Sequence, residues 1–339
     1  MNDSANTTLT ATQGSSARMK PFLSDVAAAL LRPERLQANG IKVATLVLLL
    51  WAWLSIDNFG STANVNAIMY SVAAIGIAAV GMAFITLSGN LFMLSMAATA
   101  ALSTIVFASF LHLGLFPAML IVAAAGIVIG LVQGVVVGIG KVNPIIATIA
   151  VSSILMGAAA LYSGGLTIVG QGDASWLGVG SYASIPNQLL LFVAFALFAE
   201  FVVQRTRFGR ELRLIGLNRT TATLSGIRIG RTLVLSFVFA GFAAALAGCL
   251  FASQATQGNL KLGAGLDFDA IAAVLVGGVS IRGGHGRIID AAFGALFLAI
   301  VSNILLVKGL SFEIQLMVKG LVVIFAVILG ALAIGLRKS

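Results

Sequence analysis

Apolar runs of membrane-crossing length follow one another along the chain from residue 41, separated by short polar joints. A helix needs about 20 mostly apolar residues to cross a hydrocarbon layer roughly 30 Å thick. On that measure the runs at 41–57, 65–88, 91–110, 115–139, 144–163, 187–204, 231–253, 268–281, 288–306 and 314–336 predict ten crossings. Pro21, Pro33, Pro117, Pro144 and Pro186 all fall outside these runs or in a first turn, where the missing N–H costs nothing. The eighth run is the anomaly. From Phe268 to Ile281 it makes only about 21 Å of helix at 1.5 Å per residue, too short for a lipid-facing rod. It predicts a half-helix entering a protein-lined cavity. The joint "SGN" at 88–90 carries no charge and reads either as a loop or as a break inside a re-entrant element.

Ahead of the first run, residues 1–20 are polar and hold no apolar stretch of the kind a cleavable signal carries, so they read as a polar tail. Residues Phe22 to Leu31 place apolar side chains at helical spacing beside Arg32 and Arg35. They predict either a short amphipathic helix on the membrane surface or a helical lead-in to the first crossing. The chain thus divides into a tail and short helix at 1–40, a transmembrane domain at 41–336 containing the long polar loop 205–231, and a terminus at 337–339.

Composition agrees with a bilayer. With 59% hydrophobic and 9% charged residues, 339 residues lack the polar surface to coat a soluble body. The net charge of +9 is spread over short joints rather than gathered on one soluble face, which argues against nucleic acid as a partner and leaves membrane lipid. With a cytoplasmic N-terminus, 17 of the 20 Lys and Arg fall on the cytoplasmic side of a ten-span chain, seven of them between Arg205 and Arg231. The positive-inside bias therefore predicts an even number of spans with both termini cytoplasmic.

Four glycines at strict four-residue spacing, Gly126, Gly130, Gly134 and Gly138, line one helix face and let another backbone approach closely. Contact within one bundle is the simpler reading, a seam between subunits the sharper one. Gly241, Ala244, Ala245 and Gly248 form a weaker version.

Catalytic motifs are missing. "GIGKV" offers Gly140 and Lys141, but Val135 stands where a phosphate-binding loop needs its first glycine and Val142 where it needs a hydroxyl. His112 and His285 have no metal-ligand spacing, and Cys249 is the single cysteine, so neither a metal site, nor a disulfide, nor an enzyme is indicated. Loop 205–231 is richer. It offers a helix stop at Gly216, a cap candidate at Asn218, a short helix from Arg219 to Ser225 and a break at Gly226. A short capped helix of this kind makes a rigid knob suited to docking a soluble partner.

"FGRELRLIGLN", "ATLSGIRI", "GLDFDAIAAVLVGGVSIRGGHGRI" and "MVKGLVVIFAVIL" together resemble the permease subunits of ribose-type ABC sugar importers, a group that also takes in branched-chain amino acid and nucleoside permeases. The resemblance implies an all-α, type II-like importer permease of about ten helices in the bacterial inner membrane. It implies pairing with a second copy or a paralogue, a cytoplasmic ABC ATPase that holds ATP and magnesium, and a periplasmic substrate-binding protein; no cofactor sits on this chain. The coupling helix of such permeases maps here to Asn218, Thr221, Ala222, Leu224, Ser225, Gly226 and Ile227. Two features depart from the pattern. Arg219 and Thr220 replace acidic residues after the asparagine, and "SGNLFMLS" at 88–95 replaces a "GGIDLS"-like stretch.

In the half-helix, Asp267 and Asp269 lie where they can cap the N-terminus or meet a ligand. Gly277, Gly278, Gly283, Gly284 and Gly286 permit the turn after it, which Arg282 and Arg287 hold on the basic side. Polar groups inside the apolar runs, Asn66, Asn90, Ser95, Gln133, Asn303 and Gln315, are candidates for the translocation path or for interhelical hydrogen bonds. The expected cargo is a sugar or similar polyhydroxylated solute, with nucleoside or autoinducer permeases as alternatives. An ion-coupled transporter is a rival that would keep buried carboxylates midway across. A passive channel is the other.

Overall fold

The computed structural model describes residues 36–89 and 92–335. The polar tail, the Phe22–Leu31 segment, Asn90 and the terminus at 337–339 lie outside the described residues. The long helices are α1 (Leu36–Ser55), α2 (Thr62–Leu87), α3 (Met96–Phe110, continued by a 3-10 turn at Leu111–Leu113), α4 (Leu115–Gly138) and α5 (Pro144–Ser163). After a four-residue helix α6 (Ser175–Gly178) come α7 (Asn187–Arg205), α8 (Arg207–Leu217), α9 (Arg219–Leu224) and α10 (Ile229–Ala255). The short α11 (Leu266–Val276), then α12 (Ile288–Val307) and α13 (Phe312–Gly335) complete the order. Eight helices, α1 to α5, α7, α10 and α12, are long and apolar enough to cross a membrane among the described residues. The half-helix α11 and the 24-residue α13 occupy the places of the other two predicted crossings.

Local chemistry sets the boundaries. The Ser61 side chain accepts the Asn64 N–H at the start of α2. Asn143 accepts the Ile145 N–H ahead of Pro144 at the first position of α5. Gly164 ends α5 in a left-handed conformation.

Helix α2 is apolar on every side, the pattern of a helix inside a bundle. From Val72 to Leu87 every residue is buried, and α7, α10, α11 and α12 pack around it. The four-glycine face of α4 meets α10 in the same chain. A Cβ on Gly126 would stand 2.6 Å from the Gly241 oxygen, one on Gly134 2.8 Å from the Val234 Cα and one on Gly138 2.7 Å from the Gly230 oxygen. Contact within one bundle is thus what the spacing encodes. The other faces of α4, α5, α1 and α7 expose Leu120, Ile146, Leu50 and Phe201, which suits lipid.

At the end of the bundle opposite the Arg-rich loop, β1 (Ile168–Val169) pairs antiparallel with β4 (Gln257–Gly258), Ile168 opposite Gly258. A second pair joins β2 (Ser181–Tyr182) to β3 (Ile185–Pro186).

Two expectations are corrected, and the alternatives left open at 88–90 are narrowed. The half-helix runs over 11 residues, not from Phe268 to Ile281. It makes about 16 Å, because Gly278 at φ +89° turns the chain where other residues are strained. Gly216 is not a helix stop but lies in the last turn of α8, which extends to Leu217. In the 88–95 joint, Ser88, Met93 and Ser95 are inaccessible, and the Met93 N–H points to the Met82 sulfur at 3.4 Å. Its described residues form a non-helical break enclosed by protein rather than a surface loop, consistent with irregular backbone being tolerated at membrane depth only there.

Candidate coupling site

The Arg-rich loop folds into two helices. In α8 the side chains of Leu212 and Ile215 are buried while Arg207, Arg210 and Leu214 face outward, so this helix lies on the bundle by its apolar face. Thr206 caps it by accepting the Gly209 N–H. Asn218 then leaves the helical conformation, at φ −160° and ψ 109°, and its Oδ1 accepts the Thr221 N–H at 3.0 Å. That is the cap expected from the sequence, and it starts α9. The helix closes with the Ile227 N–H on the Ala222 oxygen at 3.1 Å and Gly226 at φ +76°.

Of the seven residues proposed for docking, Ala222 faces inward and is buried, and Ile227 is half-buried. Asn218, Thr221, Leu224, Ser225 and Gly226 are exposed. Leu224 is 85% exposed at the tip, an apolar side chain left uncovered by the described residues.

The root of this knob is fixed to two other elements, a relation the sequence did not disclose. A Cβ on Gly216 would run into the Leu87 oxygen at the end of α2 and the Gly284 nitrogen in the turn after α11. One on Gly283 would stand 2.5 Å from the Gly89 Cα and 2.9 Å from the Gly216 Cα. The Gly284 N–H donates to the Leu87 oxygen at 2.9 Å. Three backbones therefore meet without side chains between them: the end of α2, the end of α8 and the turn 277–287. The only signal in the sequence was the excess of glycine in each segment.

Ion pairs surround that junction. Glu200, buried near the end of α7, holds Arg287 Nε at 2.7 Å and accepts the Gln204 side chain and the Ile289 N–H. Asp290, buried in the first turn of α12, holds Lys42 of α1 at 2.7 Å, and the Lys42 ammonium also lies 5.2 Å from the Phe293 ring centre. Neither carboxylate was foreseen as a clamp.

In α11 the predicted acids do not cap. Gly265 is the N-cap residue and supplies no side chain. Asp267 accepts the neighbouring Phe268 N–H, at 3.0 Å. Asp269 pairs with Lys319 of α13 at 2.9 Å, so the half-helix is tied to the last helix by charge. Gly277 instead supplies close packing: with Gly294 it lets α11 and α12 touch, since a Cβ on Gly294 would stand 2.7 Å from the Gly277 nitrogen. Gly286 allows the turn to fold back on Val279, 2.8 Å from any added Cβ.

The path candidates separate. Ser95 donates to Gln133 Oε1 at 2.8 Å in a fully buried pair, leaving the Gln133 amide nitrogen without a partner among the described residues. Asn303 donates to Asn64 Oδ1 on α2 at 2.8 Å, a residue that was not among the candidates. Gln315 donates to the Leu310 oxygen at 3.2 Å. The described residues thus place no common polar tunnel through all of these groups. Ser95–Gln133 and Asn64–Asn303 behave as interhelical hydrogen bonds.

The family model for "branched-chain amino acid transport system / permease component" matches residues 64–327. The chain is 33% identical over 271 residues to the ribose import permease protein of Bacillus subtilis (strain 168), covering 78% of this chain and 84% of that protein. It is 32% identical over 294 residues to the ribose import permease protein of Escherichia coli (strain K12), covering 84% and 91%. It is likewise 32% identical over 295 residues to the L-arabinose transport system permease protein of the same strain, covering 85% and 89%. No solved structure matches the chain.

Proposed function

This chain belongs to the branched-chain amino acid transport system / permease component family, and on that premise we propose that it is the membrane permease subunit of an ATP-binding-cassette importer for a sugar. Relatives named for ribose and for L-arabinose import support a pentose or similar polyhydroxylated cargo. The chemistry of ATP hydrolysis belongs to a separate ATPase subunit, and the cargo arrives on a substrate-binding protein. The permease sits in the inner membrane with the basic loop 205–231 and both termini in the cytoplasm, as the distribution of Lys and Arg favours.

One observation carries the mechanical part of this reading. The exposed, capped helix α9 is continuous with a backbone junction that reaches both the central helix α2 and the half-helix α11. A movement of an ATPase groove around Leu224 would pass through Gly216 into Leu87 and the 283–284 turn with little loss, because backbone in direct contact has no rotamers to absorb it. The half-helix is the element placed to respond: it is short, ends on glycine and is held at its far end by the Asp269–Lys319 pair. Alternating access follows as α11 and its turn shift against α2 and α12. The cargo then needs no tight site in the permease, since affinity rests on the binding protein.

Reconstitution tests the assignment. The purified chain should hydrolyse no ATP, and vesicles holding it with its ATPase and binding protein should accumulate ribose or arabinose when ATP is supplied. Active uptake by the chain with no ATPase present refutes the assignment.

A further inference from the structure

Beside the coupling junction, the start of α1 with α7, α8, α12 and the 277–287 turn lines a half-open cavity of about 350 Å³ whose wall includes Gln204, Arg213, His285, Arg287 and Asp290. Two of its charged groups are already answered: Arg287 by Glu200 at 2.7 Å, and Asp290 by Lys42 at 2.7 Å. Arg213 is not. Its Nε and Nη2 are both shielded from solvent and meet no acceptor among the described residues.

Those two nitrogens form one edge of the guanidinium plane, the edge that grips two oxygens of a carboxylate or phosphate side by side. Withdrawing the donor edge of a guanidinium from water is costly unless an acceptor meets it, and the described residues supply none to this edge. The cavity is large enough for a phosphate group, its polar wall is cationic on balance once the two ion pairs cancel, and His285 adds a further donor.

We propose that this cavity is an oxyanion site in which Arg213 takes a phosphate-type group through Nε and Nη2. Arg213 lies three residues before Gly216 on α8, and His285 lies in the turn that Gly216 touches. An anion held between them fastens the root of the coupling loop to the turn of the half-helix. The phosphate comes either from a free ion or phosphate ester in solution or from the head group of an anionic phospholipid.

The test uses the full-length chain, purified and stripped of lipid, and reads its melting temperature against inorganic phosphate at constant ionic strength, with chloride as the reference. A rise of several degrees at millimolar phosphate that is absent in Arg213→Gln, yet present in the control Arg210→Gln on the exposed face of α8, supports a site for soluble phosphate. Retention of phosphatidylglycerol in native mass spectrometry that is lost in Arg213→Gln, with phosphatidylcholine not retained by the unaltered chain, supports the lipid source. Should Arg213→Gln fail to fold, Arg213→Lys keeps the charge without the fork and should weaken binding about tenfold or more. A phosphate or phosphatidylglycerol response that persists in the Arg213 variants, or no response to either probe in the unaltered chain, overturns the proposal.

Discussion

The N–H of Gly284 donates to the carbonyl oxygen of Leu87 at 2.9 Å, and Gly216 lies against both. This contact joins the end of the central helix, the root of the exposed helix α9 and the turn after the half-helix through backbone in direct contact. Gly216→Ala forces a methyl group into backbone on two sides. Overpacking of this kind costs about 1–3 kcal/mol. Sugar uptake by vesicles containing the assembled transporter should fall at least tenfold, while the ATPase still co-purifies because Leu224 is untouched. Normal uptake by an assembled Gly216→Ala complex would remove the junction from the transmission route.

Leu224 separates docking from folding. It is 85% exposed, so Leu224→Asp should leave the melting temperature of the isolated chain unchanged within the roughly ±0.5 kcal/mol typical of surface changes. Co-purification of the ATPase should drop at least tenfold. Asn218→Ala removes the cap on α9, worth about 1 kcal/mol, and should weaken co-purification by a smaller factor.

The Asp269–Lys319 pair has side chains 22% and 13% exposed. Breaking a fully buried pair costs about 3–5 kcal/mol, and the partial exposure here reduces that figure through solvent screening. Asp269→Asn and Lys319→Met should each lower the melting temperature, and the double variant should lower it by less than the sum. A strictly additive double variant would mean that the two groups do not stabilise one another.

The glycine seam between α4 and α10 makes a different forecast. Gly130→Val pushes a branched side chain into the Phe237–Val238 backbone and should destabilise the individual subunit by about 1–3 kcal/mol or more. Light scattering on the folded fraction should find the same number of subunits per complex as in the unaltered protein. Loss of a subunit contact with an unchanged melting temperature would instead place the seam between subunits.

What the sequence revealed about these elements follows the range of the forces involved. Hydrophobic runs, the Asn218 cap and the i, i+4 glycines are local or periodic signals, and each has its structural counterpart in a helix, a cap and a seam. The short eighth run announced α11, although its end at Val276 depended on which glycine adopts positive φ. Contacts between distant segments were not legible. Asp269 with Lys319, Glu200 with Arg287 and Asp290 with Lys42 join residues 50, 87 and 248 positions apart. Asp269 at a helix start looks like a cap until α13 is placed beside it. That Asn64 faces Asn303 likewise turns on the rotation of α2, which a helix apolar on every side does not advertise.

Attachment of the α9 knob to an ATPase is the claim on which the transport mechanism depends. It is tested most directly by introducing Ser225→Cys and cross-linking the assembled, transport-active complex; the native Cys249 is buried and does not compete. The expected product joins this subunit to the ATPase, with the new thiol labelled only by reagents that reach the cytoplasm. Labelling from outside intact cells, or an active complex in which Ser225→Cys joins no ATPase, would contradict it.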